Sequence, residues 1–91
     1  MATRAVLSVL GKDRTGIVAK VATTLTDANT NIDDIRQSII DDLFSMTMLV
    51  TLDEETCPFD KLQEALDADA KALGMQITLQ REDVFRFMYE V

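Results

Sequence analysis

Apolar residues recur along this chain at two intervals, every second position and every third or fourth, and the changes between them mark out its elements. Arg4 to Leu10 is a β-branched and aliphatic run closed by Gly11, as expected of a buried strand ended by a turn residue. Ile17, Val18, Val21, Ala22 and Leu25 then fall at helical spacing and predict a helix over residues 17–28, with Asn29 as a left-handed cap. From Asn31 to Ile40 the period returns to two. Ile35, Gln37 and Ile39 alternate with Asp34, Arg36, Ser38 and Ile40, a half-buried pattern, and Ile32 is out of phase, which predicts a bulge near Asp33. Asp41-Asp42 reads as a hairpin turn into a third strand, with Phe44, Met46, Met48, Val50 and Leu52 on one face. Leu43, Ser45, Thr47, Leu49 and Thr51 form the other.

Beyond the acidic loop at residues 53–56, Pro58 suits the first turn of a helix and Thr56 is the expected cap. Phe59, Leu62, Leu66, Ala70 and Leu73 make the stripe of that second helix, and Gly74 ends it. Met75, Ile77 and Leu79 alternate with Gln76, Thr78 and Gln80 as a fourth strand. Residues 81–91 read as a short terminal helix, with Val84, Phe85, Met88 and Val91 on one side and Phe87 adding apolar surface that must pack on something. The order is β-α-β-β-α-β, an α+β fold of the ferredoxin-like kind: a four-stranded antiparallel sheet with two helices on one face and a short C-terminal helix. We expect one domain over residues 1–91, with a core over 1–81 and a helical tail over 82–91.

Charge and composition narrow the chemistry. A net charge of −7 argues against sequence-independent nucleic-acid binding, which needs cations to displace phosphate counterions. With no His, Ser-His and Cys-His catalytic pairs and His-based metal sites are excluded. Cys57 is the single cysteine, so neither an internal disulfide nor a thiolate-rich metal site can form within one chain. Asp33, Asp34, Asp41 and Asp42 make a poor cation site, because adjacent strand residues point to opposite faces. No cofactor and no metal are expected. The longest apolar-rich run, residues 43–52, is too short to span a bilayer as a helix, and a cytoplasmic location without membrane partners is the expectation.

The candidate chemistry sits in Gly11-Lys12-Asp13-Arg14-Thr15-Gly16, at a strand-to-helix turn. The backbone N–H groups of Gly16 and Ile17 at the helix start suit a ligand carboxylate. Asp13 suits an ammonium group, and the Asn31 amide both donates and accepts. Each has a plainer reading: Gly11 and Gly16 shaping the turn, Asp13 as a solvated or capping carboxylate, Arg14 as a surface charge, Asn31 easing entry to its strand.

This topology, with the first turn running into Gly16-Ile17-Val18 and with Asn31-Ile32 opening the second strand, resembles the ACT-domain family over nearly the whole chain. It is most similar to short stand-alone ACT-domain proteins of uncharacterised function that end in a Phe/Met/Tyr-containing helix, here residues 85–89. The family often has Pro before the second glycine; this chain has Thr15, a residue able to cap a helix. The resemblance implies a non-catalytic regulatory or sensor module that binds a small molecule, frequently an amino acid, where paired domains meet. Its site residues map onto Gly11, Asp13, Arg14, Thr15, Gly16 and Ile17 in the turn and onto Asn31 and Ile32.

The small, uncharged face of Ser45, Thr47, Leu49 and Thr51 points to a homodimer, through sheet stacking or edge pairing, with a regulated protein as a further partner. Two alternatives stay open. One is an acylphosphatase-like hydrolase using Arg14 and Asn31; the other is an interaction module whose turn holds no ligand.

Overall fold

The computed structural model describes residues 2–83. Its elements are β1 (Ala2–Lys12), α1 (Ile17–Asp27), β2 (Asn31–Ile40), β3 (Leu43–Asp53), α2 (Phe59–Leu73) and β4 (Gln76–Arg81). The strands form one antiparallel-paired sheet in the order β2-β3-β1-β4. This is the expected ferredoxin-like topology. The terminal helix expected over 81–91 begins only after Arg81, which closes β4; Glu82 and Asp83 are helical, and residues 84–91 lie outside the described residues.

Alternation along the strands produces the core. Ala5, Leu7 and Val9 of β1, with Phe44, Met46, Met48, Val50 and Leu52 of β3, are buried under Ile17, Val21 and Leu25 of α1 and Leu62 and Leu66 of α2. The two methionines are thus fillers of the core, as flexible unbranched side chains commonly are. Local chemistry ends the helices where expected. Asn29 is left-handed at φ 54° just beyond α1. Gly74 is left-handed at φ 68° beyond α2, and the Met75 N–H folds back to the Ala70 carbonyl at 2.9 Å. The hairpin turns through Asp41 at φ 57°, and a register shift between Ile32 and Asp34 is the expected bulge.

Four expectations are corrected. β1 does not stop at Gly11 but continues through Lys12, because both residues stay paired with β3. Thr56 does not cap α2: Pro58 holds the cap position, and the Thr56 hydroxyl donates to the Asp53 carboxylate at 3.0 Å instead. β2 is not half-buried. Ile35 and Ile39 share the helix-facing side with Met48 and Phe44, yet remain 42% and 57% exposed, because β2 is the sheet edge and the helices lie over the inner strands. Val18, expected on the apolar stripe of α1, is exposed.

Two polar contacts tie the layers together. Asp69 on α2 is 5% exposed and accepts a hydrogen bond from the Thr24 hydroxyl on α1. At the other end of β4, Arg81 donates two hydrogen bonds of 3.0 Å to Glu54 and stacks on the Phe59 ring at 4.5 Å, while Thr3 donates to the same carboxylate. These hydrogen bonds, from Arg81 first and then Thr3, hold the Glu54 carboxyl at about 2, below its ordinary 4.5.

A buried acceptor stripped of its donor costs about 1–3 kcal/mol, whereas removing both partners is nearly neutral. Thr24→Val is therefore expected to lower stability by that amount in urea denaturation, and Thr24→Val/Asp69→Leu to recover most of it. The Glu54 pKa is lower folded than unfolded, so its stabilising effect is complete above about pH 4.5 and is lost as pH falls toward 2. Arg81→Ala should flatten the melting temperature against pH across that window and leave its slope above pH 6 unchanged.

Candidate functional site

The turn after β1 is built around a left-handed glycine. Gly16 sits at φ 86°, a conformation costly for any residue with a Cβ, and its carbonyl accepts the Lys20 N–H at 2.9 Å to begin α1. Thr15 does not take the capping role: the cap position is Gly16, no side chain caps the helix, and its first turn contains no acidic residue. The N–H groups of Ile17, Val18 and Ala19 precede Lys20, the first intrahelical donor, so the positive end of the helix dipole opens at an exposed turn. A Cβ on Gly16 would meet nothing within 4 Å, so the space beside that cap is open.

Other residues of the turn hold it in place. The Asp13 N–H donates to the Asp42 carbonyl at 2.7 Å, pinning the turn against the β2–β3 hairpin. Arg14 reaches the C-terminal end of α2, where its guanidinium lies 3.5 Å from the Leu73 carbonyl, a placement the helix dipole favours. Ile17 is buried in the core and anchors the helix start. Gly11 has a packing reason of its own: a Cβ there would lie 2.6 Å from Sδ and 3.1 Å from Cε of Met75. The missing side chain lets Met75 pack on the β1 backbone. Gly11 therefore lies inside β1 with a packing role, not the turn-shaping role expected of it.

Asn31 and Ile32 lie elsewhere. Asn31 pairs with Thr51, which pairs with Arg4, so the start of β2 lies at the N-terminal end of β1. Gly11 is aligned instead with Phe44 and Ile39. Seven residue steps along β1 separate the two rows, roughly 23 Å at about 3.3 Å per step. Within one chain the predicted site residues therefore form two groups at opposite ends of the sheet. Arg14 and Asn31, the pair a hydrolase of this topology would use together, are divided in the same way.

The Asn31 end has its own order. The Asn31 amide donates to Asp33 at 2.7 Å, and the Thr51 hydroxyl donates to the other oxygen of the same carboxylate. These two bonds, Thr51 first, hold the Asp33 carboxyl below its ordinary range. One of the two Asn31 amide hydrogens is thus used within the β-bulge. A shallow depression of about 260 Å³ lies beside it, lined by Thr26, Asn29, Thr30 and Asn31. Ile32 is half-buried against the core. Among the described residues no three metal-ligating side chains are gathered, and no helix is long and apolar enough to cross a membrane.

The chain is a small ferredoxin-like α+β sandwich with an uncapped, glycine-bounded first turn, and comparison with known proteins gives the family. The ACT-domain family model matches residues 3–80. A UPF0237 protein of Methanopyrus kandleri is 46% identical over 89 residues, covering 98% of this chain and 99% of that protein. An ACT domain protein from Streptococcus pneumoniae has 35% identity and a TM-score of 0.80, covering 93% of this chain and 96% of the other. The regulatory subunit of aspartate kinase from Thermus thermophilus, at 24% identity and a TM-score of 0.69, shares the fold; 88% of this chain and 53% of that one are covered. The chain belongs to the ACT-domain family, whose members are regulatory ligand-binding modules.

Gly11→Ala should cost about 1–3 kcal/mol by overpacking Met75. Removing the Sδ and Cε atoms in Gly11→Ala/Met75→Val should return part of that loss in denaturant unfolding.

Proposed function

We propose that the protein is a non-catalytic sensor that binds a small zwitterionic metabolite, an amino acid by preference, at the turn of residues 11–17. The uncapped start of α1 beside the open space at Gly16 carries this reading. Three backbone N–H groups and the helix dipole suit a carboxylate, and Asp13, held beside the hairpin, suits the ammonium group of the same molecule. Phosphate esters fit less well, since Asp13, Asp41 and Asp42 surround the turn with negative charge. The division of Arg14 from Asn31 weighs against phosphoryl hydrolysis, and the chain offers no His for acid-base work.

The second half of the reading is a cytoplasmic homodimer. Asn31 and Ile32 belong to the same binding site only if a second copy brings them to the turn, because their own chain holds them roughly 23 Å away. A protein of this size with large apolar side chains exposed along an edge also gains from a partner that covers them. Ligand binding at such an interface would stabilise the pair and pass the signal to a regulated protein.

A thermal-shift screen of the amino acids tests the sensor. A ligand at one hundred times its dissociation constant stabilises by about 2.7 kcal/mol, a shift on the order of 10 °C for a domain of this size. Gly16→Val, which fills the open space, and Asp13→Ala are expected to abolish the shift while the unliganded proteins still melt cooperatively. A shift undiminished in both variants would place the ligand elsewhere.

A further inference from the structure

Where the C-terminal end of α1 meets α2, the facing side chains are small. Thr24, Asp27 and Ala28 stand at i, i+3 and i+4 on one side, and Ala65, Ala68 and Asp69 repeat that spacing on α2. With the half-buried Cys57 they line a cleft of about 390 Å³ whose wall is mostly apolar. Alanine fills little of the space between two helices, so these positions leave room that leucines would close. The cleft is separate from the turn of residues 11–17. Asp27 follows Ile17 by ten residues, roughly 15 Å at about 1.5 Å per residue, and no residue of the turn lines it.

The charge around this cleft is one-sided. Asp69 is 5% exposed; one of its oxygens accepts the Thr24 hydroxyl, and the other has no hydrogen-bond partner among the described residues. No fully buried side-chain oxygen or nitrogen among those residues lacks a partner, so this second oxygen opens to the cleft that Asp69 lines. No described Lys or Arg pairs with it. An ionised carboxylate has about four acceptor positions, and a buried one normally has a counter-charge. The end of α1 adds to the demand. Its last turn carries Asp27 and no basic residue, although the helix dipole there is negative and favours a cation. Two carboxylates, a hydroxyl and the negative end of a helix thus converge on an apolar cleft with no positive charge in its wall.

We propose that this cleft binds a small aliphatic primary amine, with the ammonium group on Asp69 and the carbon chain along Ala65, Ala68 and Cys57. An ammonium group has three donors; the second Asp69 oxygen and the Thr24 hydroxyl oxygen accept from it, and the exposed Asp27 adds attraction at the mouth. An amino acid is disfavoured here, because its carboxylate would face two others. The site therefore differs in chemistry as well as in place from the turn. A metal ion would find too few ligands, since no three metal-ligating side chains are gathered among the described residues, and it would gain nothing from an alanine wall.

Butylamine titrated into the full chain tests the site, with butanol and sodium chloride at matched ionic strength as controls. Calorimetry is expected to show saturable binding of butylamine and none for either control. Cys57, the single thiol, reports the location: bound butylamine should slow its reaction with an aromatic disulfide reagent. Asp69→Asn keeps an acceptor for Thr24 and removes the charge. It should unfold as the wild type does in urea and raise the butylamine dissociation constant by about tenfold or more. Ala68→Leu, at an exposed position, should fill the cleft and abolish binding with both carboxylates intact. A butylamine signal no larger than that of sodium chloride, or undiminished affinity in Asp69→Asn, overturns the proposal. Saturable binding that leaves Cys57 unprotected overturns it as well, because the amine is then held elsewhere. The amino-acid screen at the turn is judged separately from every one of these outcomes.

Discussion

Two strands that run the same way cannot present the end of one and the beginning of the other at the same edge of a sheet. β1 and β2 are both antiparallel to β3, which lies between them, so they are parallel to each other. That constraint places the turn of residues 11–17 and the Asn31 end of β2 at opposite poles of the domain. The two groups of candidate residues, the turn and Asn31-Ile32, therefore lie apart in the folded chain. Every functional reading of this protein has to start from that separation.

The turn itself follows from packing as much as from ligand chemistry. Gly11 is glycine where Met75 presses on β1, and Gly16 is glycine where the backbone turns left-handed into α1. Arg14 spans to the end of α2 and Asp13 is tethered to the hairpin, so the turn touches three other elements of the domain. The turn is thus ordered by the rest of the fold, and on the proposed reading a carboxylate at the α1 terminus would bind with little further loss of chain entropy.

Most of the fold was legible in the sequence because its signals are local. The period of two in Phe44–Leu52, the left-handed Asn29 and Gly74 and the phase slip at Asp33 each state their own geometry. The misses arose where a distant neighbour decides. Asp69 follows Leu66 by three residues on the inward face of α2, but a carboxylate reads as surface until Thr24 is found opposite it. The strand alternation of β2 is real, yet alternation reports two faces and cannot tell how far a helical layer extends over an edge. Thr56 had the chemistry of a cap, but Asp53 competed for its hydroxyl. For the candidate site, the spatial separation of the turn from Asn31-Ile32 was not read from the sequence. The βαβ crossover implied that β1 and β2 run parallel, and that implication would have separated Asn31 from Gly11 before any coordinates were known.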